Sequence, residues 1–430
     1  MRRVLAAYDR HRGGRTIVLA WLITRVLVFA VFALAERFVV GDVFYYHRKI
    51  AAMFEVGLGR TLNEYPTPVA WMLWLPYGVT GGRRIGYLVA FVIFMMALDA
   101  VFTLALWRLV GRRHDWAIDF WIGFVALIGI LSYLRFDLLP AVLAGGALLA
   151  ARRRGWLTGA LTGLGTAIKL WPALLIGSFL AYRRDRRPTI LGFVVVGFGL
   201  AAISLVAAGW SRLVSPLTWQ SGRGLQIESI WATPLMIGRA IHQHRWLVDI
   251  SKFQAYEIFG PGVRLMLLVS TLATLVGFGL IIALYVRGFR NPDPSPVAIG
   301  LAVLSTIAIT IVTNKTLSPQ YLLWLGGPMA ALILLRRTAS EAERQAIQRL
   351  AAQLLGLALL THLVYPLLYD GLLGRQGYPM IITSTVATTL RNAGLLLFSG
   401  ELWRLSWRFL GHAAAPAHAA AATVRPARSS

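Results

Sequence analysis

Apolar runs of about 20 residues recur along almost the whole chain, separated by short clusters of arginine. A run of that length wound as a helix crosses a ~30 Å hydrocarbon core. In lipid every backbone polar group must be bonded within the protein, so repeated runs of this kind have one economical solution, a bundle of membrane helices. A soluble alternative is excluded because 57% of the 430 residues are hydrophobic and only 14% are charged, more apolar surface than a water-facing fold can hide. The fold class expected is all-α, a polytopic integral membrane protein with about 12 transmembrane helices. The spans fall near 16–35, 85–107, 117–134, 138–151, 156–168, 171–182, 189–209, 263–286, 297–313, 319–335, 350–369 and 380–398. Residues 1–410 then form a single transmembrane domain with two long outer loops near 36–84 and 210–262. The stretch 411–430, rich in Ala with Pro and Arg, is expected to be a disordered cytoplasmic tail.

The net charge of +25 would suggest nucleic acid in a soluble protein, but here the arginines sit between apolar runs, as in cytoplasmic loops. No nucleic-acid partner is expected; the bilayer is. Arg2, Arg3, Arg10, Arg12 and Arg15 precede the first span, and the even span count puts both termini in the cytoplasm of a plasma-membrane protein. Arg152, Arg153 and Arg154 precede residues 156–182, and Arg183, Arg184, Arg186 and Arg187 follow them. A single crossing would put one cluster outside, so a hairpin of two short helices is expected, turning at Lys169-Leu170-Trp171-Pro172. The same logic splits 117–151 at Arg135-Phe136-Asp137, a charged outer turn. Breaks at that depth are tolerated where they line a cavity. The apolar stretch Val69 to Val79 is half a span long and reads as an interfacial helix.

The chain has no cysteine, which excludes disulfides and thiolate chemistry. It also lacks Asp-x-Asp, His-Glu-x-x-His and phosphate-cradling glycine loops, so neither a metal nor a soluble nucleotide sugar is expected, and no cofactor. A phosphate-bearing donor, if there is one, should be lipid-borne. Asp42, just after the first span, can accept a proton from a sugar hydroxyl, with Tyr45 and Tyr46 stacking on sugar faces; it can equally be a solvated loop acid. Glu64-Tyr65-Pro66-Thr67-Pro68 reads as a rigid return toward the membrane. Lys169, Arg223 and Lys315 are outer-face cations near span ends, placed to meet a lipid phosphate or to snorkel to headgroups. Glu228 is close enough in sequence to pair with Arg223, Pro319 starts a helix beside Lys315, and Gln320 and Tyr321 follow it. His362 approaches the outer end of its span, where a buried structural histidine is the plain alternative to a ligand-binding one. Arg25, Asp99, Asp119 and Arg391 lie within spans, and buried pairing is expected there, Arg25 with Asp99 or Asp119.

Asp42, the Glu64 to Pro68 stretch, GTAIKLWP (Gly165 to Pro172), GRGLQIES (Gly222 to Ser229) and KTLSPQYLLW (Lys315 to Trp324) together resemble the GT-C superfamily, specifically glycosyltransferase family 87, over roughly residues 16–400. Family members often carry consecutive prolines after the tyrosine, where this chain has Pro66-Thr67-Pro68. The resemblance implies a GT-C type fold and an inverting transfer of a sugar, most often mannose, from a polyprenyl-phosphate donor to a hydroxyl of a glycolipid or lipoglycan. It implies Asp42 as general base, with Lys315, Lys169 and Arg223 at the donor phosphate. Tyr45, Tyr46, Glu64, Glu228, Gln320, Tyr321 and His362 would contact sugar or acceptor, on the outer face. The competing class is a transporter or flippase for a lipid-linked sugar, which usually shows paired repeats and helices broken at matching positions. No repeat is visible, and a purely structural scaffold gives no reason for 15 tryptophans and two large outer loops.

Overall fold

The computed structural model describes residues 14–112 and 115–412. The arginines before residue 14 and the tail from residue 413 lie outside the described residues. In chain order the helices are α1 (Gly14–Ala35), α2 (Gly41–Val56), α3 (Thr67–Val79), α4 (Arg84–Leu109), α5 (Trp116–Ile128), α6 (Leu138–Ala150), α7 (Gly155–Ile168), α8 (Arg183–Gly222) and α9 (Thr233–Ile241). An antiparallel hairpin, β1 (Leu247–Ile250) and β2 (Tyr256–Phe259), precedes α10 (Val263–Arg290), α11 (Pro296–Thr313), α12 (Leu323–Leu335), α13 (Glu341–Leu367) and α14 (Tyr378–Leu410).

Among the described residues, seven of these are long and apolar enough to cross a bilayer: α1, α4, α8, α10, α11, α13 and α14. The remaining five expected spans are short. At 13 residues α5 and α6 reach only about 20 Å along the axis, less than a bilayer core. Their role is internal: Trp121 is fully buried, and every residue of α12 from Leu323 to Leu334 is buried. By contrast α1, α4 and α10 leave rows of Leu, Ile and Val uncovered, among them Val18, Leu22, Ile85, Val89, Leu265 and Leu272. Short buried helices packed among longer ones satisfy the rule that broken backbone at membrane depth must be enclosed by protein.

Glycines let two helices of the bundle pack closely. A methyl group on Gly159 would fall 1.9 Å from the Thr189 carbonyl oxygen, and one on Gly192 would fall 2.1 Å from that of Trp156. Gly155 meets Asp185 and Pro188, and Gly163 meets Gly197, so α7 and the first part of α8 run side by side in the same direction. The chain must therefore come back between residues 169 and 182, and the two arginine clusters sit at one end of the bundle. That is the expected hairpin, with its return leg coiled as the short turns Trp171–Leu175 and Ile176–Phe179.

The charge buried in α1 is paired. Arg25 meets Asp99 at 2.7 Å, and Asp99 also accepts from the Trp21 and Trp121 indoles and the Tyr133 hydroxyl. Of the two acids open to Arg25 from sequence, Asp99 takes it. The apolar stretch at 69–79 is helical, within α3, but Val69, Ala70, Leu73 and Pro76 pack into the core, so only part of it faces outward. Gly209, at φ 79°, bends α8 so that 210–222 leaves the bundle axis toward the loops. The 210–262 loop is thus a folded cap of helix, hairpin and α9, and the hairpin departs from the all-helical expectation.

Candidate active site

Every turn assigned from sequence to the outer side converges on one cavity of about 690 Å³. Asp42, Tyr45 and Arg48 reach it from α2, Glu64 to Pro66 from the turn before α3, and Arg135 from the α5–α6 turn. Lys169 to Trp171 come from the α7 turn, and Arg223, Gln226 and Glu228 from the strip after α8. The hairpin tip, Gln320, Tyr321, Trp324 and Tyr365 complete the wall.

Asp42 sits in the first turn of α2, which continues directly from a short 3-10 turn over Arg37–Val40. Its Oδ2 pairs with the guanidinium of Arg135, and its side chain remains 45% exposed, so the group is held yet open to a ligand. Tyr45 donates to Glu64 Oε1 at 2.7 Å, and burial with the Glu64 charge pushes its phenol up. Arg212, buried, donates to the carbonyls of Tyr65 (2.8 Å) and Leu62 (3.1 Å), tying the outer part of α8 to the Glu64 turn. Tyr46 does not reach the cavity: it is buried among Tyr65, Phe91 and Phe136. Two adjacent residues of a helix point about 100° apart, so only one of the two tyrosines can face a ligand.

Lys169 reaches the cavity but is already paired. Its Nζ lies 2.5 Å from Asp137, which also accepts from the Trp324 indole at 2.7 Å. Rings of Tyr65, Phe136, Tyr321 and Trp324 stand 5.0–6.0 Å from the ammonium. Tyr321 stacks on Trp324 and that on Trp171, giving a flat aromatic wall suited to a sugar face.

Besides Tyr46, three sequence-based assignments move. Glu228 pairs with Arg391 of α14 at 2.7 Å, not with Arg223. It is fully buried; burial pushes its carboxyl up and Arg391 holds it back, while Oε1 has no partner among the described residues. Lys315 is not part of the cavity wall. Its Nζ donates to the Ser221 carbonyl at 2.9 Å and its carbonyl accepts from the Gln226 amide at 3.2 Å, so it braces the Arg223 strip from behind. Burial lowers its pKa, opposed by Glu257 and helped by Arg223. His362 lies below the cavity, bonded to Glu36 Oε1 at 2.6 Å and to the Leu127 carbonyl at 3.0 Å, the structural alternative. Gly129 passes so close that a methyl group there would strike the imidazole.

Arg135, Asp137, Gln226 and Trp324 were not singled out as site residues from sequence. The signal available was Arg135-Phe136-Asp137 itself, opposite charges two residues apart in a turn between apolar helices, where each must find a partner.

Residues 64–311, more than half of the chain, match the family model described as glycosyltransferase family 87. The matched segment holds Glu64, Lys169, Arg223 and Glu228, whereas Asp42, Lys315, Gln320, Tyr321 and His362 lie beyond it. No curated protein and no solved structure matches the chain.

Proposed function

We propose, on the premise that this chain belongs to glycosyltransferase family 87, that it is an inverting transferase moving mannose from a polyprenyl phosphate to a hydroxyl of a glycolipid or lipoglycan at the outer face of the plasma membrane. The observation that carries this reading is that an accessible carboxylate, Asp42, and the cations Lys169 and Arg223 share one aromatic-walled cavity. The acceptor oxygen attacks the anomeric carbon as the bond from that carbon to the phosphate oxygen breaks. The electron pair leaves with the phosphate, and the hydroxyl proton passes to Asp42. Lys169 and Arg223 offset the charge that grows on the departing phosphate monoester. Lys315 acts at one remove, by holding the Arg223 strip. Glu64, Tyr45, Gln320 and Tyr321 line the sugar and acceptor space, and Glu228, held by Arg391, lies in its wall.

The test is incubation of purified full-length protein with decaprenyl-phosphate-linked mannose or arabinofuranose and a glycolipid extract, following released decaprenyl phosphate and labelled glycolipid together. Acceptor-dependent release with mannose supports the reading. Release with arabinofuranose alone corrects the sugar, and movement of intact donor across the bilayer without release supports a flippase instead.

A further inference from the structure

The turn Arg135-Phe136-Asp137 neutralises both candidate catalytic groups at once: Arg135 pairs with Asp42, and Asp137 pairs with Lys169. Local backbone explains how one turn does this. Arg135 is extended (φ −133°, ψ 143°) and Asp137 is helical (φ −63°, ψ −18°) at the start of α6, so the two side chains leave the turn in different directions. Phe136 anchors it between Tyr46, at 5.7 Å, and Tyr65, at 4.9 Å. Asp137 is 1% exposed and Lys169 13%, so their interaction is little screened.

Resting on the transferase reading, we infer that Asp137 is a positioning residue that tempers the grip of Lys169 on phosphate, and that Arg135 is a positioning residue for Asp42. A lysine ammonium has three N–H donors; one is spent on Asp137 and the others remain for an anion. The donor phosphate is a diester with one negative charge, and the released monoester carries close to two. A bare ammonium in an aromatic cage would therefore hold the product harder than the substrate and slow its exit. A fixed carboxylate paired with that ammonium offsets part of its charge, which weakens its hold on the doubly charged monoester more than on the diester and favours release. Arg135, with one face on Asp42 and its Nε buried without a partner among the described residues, keeps the candidate base oriented toward the cavity.

The probe is decaprenyl phosphate, binding to full-length protein in neutral-lipid nanodiscs, read beside steady-state transfer. Asp137→Asn keeps the shape and the Trp324 bond. It should tighten decaprenyl phosphate about tenfold and lower kcat by making product exit slow. Lys169→Met should weaken binding about tenfold, and the Asp137→Asn change should add nothing on that background. Arg135→Gln should lower kcat with the donor KM unchanged, and Arg135→Lys should restore most of it. Asn at 137 leaving binding unchanged or weaker, in protein melting like wild type, would overturn the Asp137 role; Gln and Lys at 135 failing alike would overturn the Arg135 role. Wild-type protein that binds no decaprenyl phosphate would remove the lipid-phosphate reading itself and this proposal with it, a result distinct from either of those.

Discussion

Replacing Asp42 by Asn separates chemistry from scaffolding, because Asn keeps the outline of the side chain and loses only the charge and the ability to take the hydroxyl proton. Losing a general base costs about 10²–10⁴ in rate, which is about 2.7–5.4 kcal/mol of barrier. The structural cost is smaller and follows from exposure. Asp42 is 45% exposed while Arg135 is 8% exposed, so the pair is closer to a surface ion pair, worth about 1 kcal/mol, than to a buried one. The melting temperature should fall by no more than about 2–4 °C. The assay is mannosyl transfer to a supplied acceptor at matched protein level, with thermal unfolding and decaprenyl phosphate binding measured on the same preparations. Activity within about threefold of wild type would refute the base assignment, being far short of the loss that removing a base entails. Activity, stability and donor binding falling together would show that Asp42 is a strut for Arg135 instead.

Breaking the Glu228–Arg391 pair with Arg391→Met leaves a fully buried carboxylate without its partner and should destabilise the protein by about 3–5 kcal/mol, measured by unfolding in detergent. Arg223→Ala should raise the donor KM about tenfold, whereas Lys315→Ala should lower the melting temperature with a smaller KM change, and Lys252→Ala, on the exposed hairpin turn, should do neither. Gly192→Val forces a side chain onto the Trp156 carbonyl and should cost at or above the top of the about 1–3 kcal/mol range for overpacking, seen as loss of folded protein. An impermeant thiol reagent should label Gln220→Cys and not Arg153→Cys in intact cells; the reverse pattern would invert the topology.

The turns were legible in the sequence because they rest on charge, which lipid disfavours at depth. The arginine clusters at 152–154 and 183–187 announced the α7 hairpin, and the α7–α8 glycine contacts are the packing that closes it. Span length was less legible. The segment 319–335 is as apolar as α1, yet α12 is a 13-residue buried helix while most of α1 is left uncovered by protein. Hydropathy measures dislike of water and does not distinguish a lipid-facing side chain from one facing another helix. The β1–β2 hairpin was invisible for another reason: four-residue strands give too little alternation to detect, and their pairing is completed by Gln226 bridging to Glu257, thirty-odd residues away.

At the site, the residue types were legible and their partners were not. Lys169, Arg223 and Glu228 do come together, but partner choice is a three-dimensional property: Glu228 lies five residues from Arg223 and pairs with Arg391, 163 positions away in the chain. The same logic explains why Lys315 reads as a ligand cation and sits as a brace. A basic residue after a span satisfies both roles in one dimension, and only the Ser221 carbonyl in front of its ammonium decides between them. A buried or half-buried charge identified from sequence is thus best treated as one half of a pair. The functional question is whether its other half is a side chain, as Asp137 is for Lys169, or must arrive with the substrate. Arg223 is the group best placed for the second case: it lines the cavity and its Nε is buried without a partner among the described residues. Of the three cations singled out from sequence it is therefore the one whose loss should weaken the donor most directly.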